Sequence, residues 1–208
     1  MQPDMAKLAT VLKKVDQVRD EIKRYCVGAP GPALSVMDLH YVVQQMYGLR
    51  IDMIEVDFAA VHFQGKVERY SDKHARIIVR ASLSEREKRL VTVKEICHLI
   101  IDEEEDWSIH GTDTIDDLLG EVLQVSQNGT GNQSPTSALH SELMAMIAAG
   151  ELMYPAEYRP SDMQDLADKK STLSAIAVQH DMPAYAIAHM HKHHALLESA
   201  RQQHAIAA

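Results

Sequence analysis

At 208 residues and 46 % hydrophobic composition, the chain holds enough apolar mass for one packed domain, or one domain with a small appendage. The 30 acidic residues outnumber 21 basic ones, and the net charge of -9 excludes the whole surface as a nucleic-acid platform, leaving only a local basic element for that role. Aromatic residues are scarce at 5 % while 11 methionines and many alanines fill in, a balance that suits a mostly helical protein.

Residues 5–27 read as an amphipathic helix, because Leu8, Val11, Leu12, Val15, Val18 and Ile22 recur at helical spacing. The cluster Gly28-Ala29-Pro30-Gly31-Pro32 ends it. A second helix is expected over 35–47, stopped by Gly48. Residues 49–56 alternate and read as a strand; 59–63 and 76–80 read as two more, separated by a polar turn near Gly65. A strongly apolar helix follows over 87–101. The acidic run 103–106 reads as a solvated surface. A short helix over 114–125 and a polar loop over 126–135 come next, then a helix over 136–152 that ends before Pro155. The tail, 161–205, reads as three shorter helices. This order is an α+β plan, mostly helical, with a small three-stranded sheet and the 87–101 helix at its centre.

The two cysteines, Cys26 and Cys97, do not make a disulfide framework, since Cys97 falls inside the apolar helix. The first residues are polar, with no apolar signal core, and no apolar run approaches the ~20 residues that a membrane span needs. The expectation is a soluble cytoplasmic protein.

Chemistry concentrates on the apolar helix. Of the twelve residues Leu90–Ile101, eight are apolar, which marks a buried helix. Within it Lys94, Glu95 and His98 are spaced i, i+1 and i+4 and share one narrow arc. Burying a lysine, a glutamate and a histidine side by side costs several kcal/mol unless they pair or bind something. On the 136–152 helix, Glu142 is a lone acid in a stretch of small residues and methionines.

Lys94-Glu95-Ile96-Cys97-His98 stands where a zinc peptidase helix carries H-E-x-x-H, with lysine in place of the first histidine. Glu142, Ala145, Ala149, Glu151, Leu152 and Pro155 match the pattern E-x-x-A-x-x-F-A-x-E-L-L-M-P, with Ala148 where phenylalanine is usual. On these residues the region 36–190 resembles the ImmA/IrrE family of zinc metallopeptidases, which cleave phage and stress-response repressors. The resemblance implies a zincin-like core at 32–160, preceded by an amphipathic helix and linker at 1–31 and followed by a helical segment at 161–208 that ends the chain in a helical hairpin. It also implies Glu95 as general base and His98 and Glu142 as two of three zinc ligands. Lys94 then occupies the position of the missing ligand. A lysine must lose its proton to bind zinc, and catalytic zinc takes three protein ligands.

Three outcomes follow. In the first, the Lys94 ammonium substitutes for the metal, pairs with Glu142, Glu95 or both, and leaves a pseudoenzyme without a cofactor that binds a partner protein, such as a DNA-binding repressor of a mobile element or stress regulon. In the second, His140 or His110 completes a shifted zinc site and the protein is an active endopeptidase. In the third, Lys94 and Glu95 are simply an ion pair on a shared fold.

The segment 173–192 reads as two short helices around a turn at His180-Asp181-Met182, with Pro183 opening the second. Ala177, Met182 and Ile187 stand where a helix-turn-helix places its contacts, which makes a DNA-binding regulator a further alternative. The face it would present, Ala184, Tyr185, Ala188, His189 and Lys192, holds few of the cations that phosphate contact needs, so a hairpin closing the domain is the preferred expectation. His189, His191, His193 and His194 form a histidine-rich stretch in which His189 and His193 are one turn apart.

Overall fold

In a computed structural model of the protein, the described residues are 5–25, 32–57, 64–70, 73–102 and 137–207. The strand expected at 59–63, the helix at 114–125, the acidic run, the loop at 126–135, Cys26 and His110 lie outside them.

The described residues form helices α1 (Met5–Tyr25) and α2 (Val36–Tyr47), strands β1 (Arg50–Val56), β2 (Gly65–Tyr70) and β3 (His74–Arg80), then helices α3 (Glu85–Ile101), α4 (Ser137–Met153), α5 (Arg159–Ala167), α6 (Leu173–Gln179) and α7 (Ala184–Ala207). The protein is thus α+β, mostly helical, with one small mixed sheet. Two sequence expectations need correction. A strand occupies Gly65–Tyr70, where a turn was expected, because this hairpin turns later, next to Lys73 at φ 60. The tail does contain three helices, but α7 is 24 residues long, the longest described.

Local chemistry accounts for the boundaries. Ser35 caps α2 by accepting from the Asp38 N–H, and Gly48 ends it at φ 60, a left-handed conformation that glycine adopts without steric cost. Ser84 and Glu87 form a reciprocal capping box that starts α3 at Glu85. In the sheet, β3 is central: it pairs in parallel with β1, with Ile51 opposite Ala75, and antiparallel with β2, with Val67 opposite Ile77. Ala75, Ile77 and Val79 are accordingly buried, while β1 buries only Ile51.

Helix α3 passes under the sheet and is buried nearly all round, against β2 and β3 on one side and α4 on the other. Met144, Ala145, Ala148, Ala149 and Leu152 are buried on α4, and the small volumes of Ala145, Ala148 and Ala149 let the two helices approach closely. The stripe of α1 read from the sequence is buried against α2, α4 and α7, so this helix belongs to the core. Below α4, Glu151 and Arg159 form a fully buried ion pair at 2.6 Å, and Arg201 of α7 meets the second Glu151 oxygen at 2.6 Å. None of the described helices is long and apolar enough to cross a membrane.

Candidate functional site

Lys94 and His98 meet Glu142 of α4, while Glu95 joins the cluster through Lys94 and lies against the start of β2. Lys94 Nζ lies 2.7 Å from Glu142 Oε2 and 2.9 Å from Glu95 Oε1. His98 Nε2 lies 3.1 Å from Glu142 Oε1. The four residues singled out from the sequence therefore come together. Glu95 is 2 % exposed, His98 6 % and Lys94 12 %, whereas Glu142 is 38 % exposed, so the cluster meets solvent mainly through Glu142.

Three partners were not read from the sequence. His98 Nδ1 donates to Asp102 Oδ2 at 2.9 Å, and the buried Ser141 hydroxyl donates to Asp102 Oδ1 at 2.7 Å. Arg69 of β2 donates to the His98 carbonyl oxygen. Asp102 left a signal, since it stands four residues after His98 on the same helical arc. Ser141 and Arg69 left none, because α4 and β2 bring them in from elsewhere in the chain. His140 makes no hydrogen bond or ion pair with His98 or Glu142; its Nε2 is buried without a partner.

The sheet approaches this cluster closely. A Cβ on Gly65 would stand 2.4 Å from Val91 Cγ1 and 3.1 Å from Glu95 Oε1, so β2 can start over α3 only because position 65 lacks a side chain.

Electrostatics follow from the geometry. Burial alone depresses the Lys94 ammonium, but the charges of Glu95 and Glu142 and the hydrogen bonds to them outweigh it and hold its pKa above the usual lysine value. Burial also disfavours His98 as a cation, yet hydrogen bonds to Asp102 and Glu142 and the charges of Glu95 and Asp102 raise its pKa to about 9. For Glu142, burial opposes ionisation, while His98 and Lys94 prevail and lower its pKa to about 2. Lys94 and His98 are thus cations beside carboxyl groups at neutral pH. Burial pushes the Cys97 thiol well above its ordinary range, with Asp102 and Glu95 adding to the effect, so Cys97 is an inert core residue.

The donor chemistry can be compared with what zinc needs. His98 resembles a metal-bound histidine in having its Nδ1 hydrogen held by a carboxylate. The remaining set does not fit: among the described residues Glu142 is the further carboxylate that meets His98 Nε2, and beside it stands Lys94, an ammonium whose proton the acids stabilise. Among the described residues, no group of three or more His, Cys, Asp or Glu side chains has the arrangement of a metal site.

At the C-terminal hairpin, Ala177, Met182 and Ile187 are buried, and Asp181, at φ 49 in the turn, receives Arg86 at 3.4 Å and Arg89 at 2.9 Å from α3. The hairpin is fastened to α3 by these ion pairs.

No protein-family model matches the sequence, and no curated protein matches it.

Proposed function

We propose that this protein is a catalytically inactive relative of the ImmA/IrrE peptidases, with a zincin-like core, that regulates by binding a partner protein. The partner class is a DNA-binding repressor of a mobile element or stress regulon, and the former substrate face serves as the binding face. One observation carries this reading: the Lys94 ammonium lies within 2.9 Å of a carboxylate oxygen of both Glu95 and Glu142. A general base must be free to accept a proton, and Glu95 is instead held in an ion pair beneath the sheet. A fixed ammonium supplies the positive charge that Glu142 would otherwise find in a metal, so the fold keeps its buried acids compensated without a hydrolytic centre.

The test is the zinc content of untagged protein, prepared without added zinc and again after zinc addition and desalting. The expected result is no zinc that depends on Glu142. One tightly held zinc per chain that Glu142→Ala abolishes overturns the proposal and favours an active peptidase. In Lys94→His, which restores the ligand that the resemblance calls for, a Glu142-dependent zinc is expected to appear. A repressor bound by the native protein is expected to keep its intact mass; a shortened repressor overturns the proposal.

A further inference from the structure

The four clustered histidines divide between two sides of α7. His191 turns inward, with Nε2 2.7 Å from the Tyr154 hydroxyl. His194 has its Nδ1 buried. His189 is exposed, and its ring lies beside that of His193, the centroids 4.5 Å apart and the planes inclined by 48°. Side chains four residues apart on a helix rise one above the other on the same face. Two imidazoles so placed can turn their ring nitrogens toward one point at the ~2.0–2.1 Å that such nitrogens take from a metal ion.

We propose that His189 and His193 form a two-histidine clamp on the solvent side of α7 for a transition-metal cation of the Cu2+, Ni2+ or Zn2+ class, separate from the α3–α4 cluster. Imidazole suits these ions, and Cu2+ binds most tightly to a given nitrogen site. The exposed Lys192 repels a cation, and two protein ligands leave the remaining coordination positions to water, so the clamp is weaker than a three-ligand site. The pairing is independent of whether Lys94 replaces a metal. It bears on that question all the same, because metal held on α7 would enter a total zinc count.

The test is calorimetric titration of the untagged full-length protein with CuCl2 and NiCl2. The expected result is one ion of each per chain, with Cu2+ the tighter. His189→Gln and His193→Gln should each weaken Cu2+ binding at least ten-fold while the far-UV circular dichroism spectrum is unchanged; His189 is exposed, so its variant is the safer for folding. Glu142→Ala should keep the wild-type affinity. Wild-type affinity in either histidine variant, loss of binding in Glu142→Ala, or no binding by the native chain would overturn the proposal.

Discussion

Replacing Lys94 by methionine keeps the length of the side chain and removes its charge. Glu95 would then be 2 % exposed with its ammonium contact at 2.9 Å gone. Removing one partner of a buried ion pair costs roughly 3–5 kcal/mol. The lower end applies here, because Glu142 is 38 % exposed and regains water, and it keeps His98 at 3.1 Å. The expected loss is therefore about 3 kcal/mol, which at a urea slope of about 2 kcal/mol per M moves the unfolding midpoint down by roughly 1.5 M. Urea melts followed by far-UV circular dichroism read this directly. The double variant Lys94→Met/Glu95→Gln separates lost charge from lost packing: with the acid neutralised, the lysine deletion should cost at least about 1.5 kcal/mol less. A Lys94→Met midpoint close to wild type, or additive effects in the double variant, would refute the claim that the ammonium holds these acids in place.

Four further outcomes are expected. The pKa of His98 is raised from its ordinary 6.5 to about 9, so its stabilising contribution is complete below pH 6.5 and is lost as pH rises through 9, by no more than roughly 3.5 kcal/mol; urea midpoints between pH 6 and 10 should show this fall, and His98→Gln should flatten it. Glu142 acts in the opposite direction, its contribution present above pH 4.5 and lost as pH falls toward 2, weakened by its exposure to solvent. Gly65→Ala should lower stability by about 1–3 kcal/mol in thermal melts, because its Cβ meets the stiff Val91 at 2.4 Å, with partial rescue by Val91→Ala; Gly150→Ala, which meets the flexible Met190 thioether, should cost less. Ser84→Ala removes the capping box of α3 and should cost about 1 kcal/mol, read in the same melts.

The sequence by itself determined most helices and the central arc of the site. The α1 stripe, the α3 run and the stop at Gly48 are written in 3.6-residue periodicity and end chemistry, which act over a few neighbouring residues. Lys94, Glu95 and His98 share a face because one helix carries them all, and Glu142 stood out as a lone acid among apolar residues. The second strand was not legible: Gly65, Val67 and Arg69 face α3 while Lys66, Glu68 and Tyr70 face away, so polar residues fall on both sides and no apolar alternation betrays it. The length of α7 was hidden for a similar reason, since its histidine-rich middle shows no apolar stripe.

What only the tertiary structure decided is how the charges are compensated. Arg69 reaches His98 across a sheet-to-helix contact, Ser141 reaches Asp102 from α4, and Glu142 receives both Lys94 and His98. Periodicity places a side chain on a face, but it does not say which face of another element will oppose it. A buried charge is stabilised by whichever partner lies within about 4 Å, and that distance is fixed by the packing of α3 between β2 and α4.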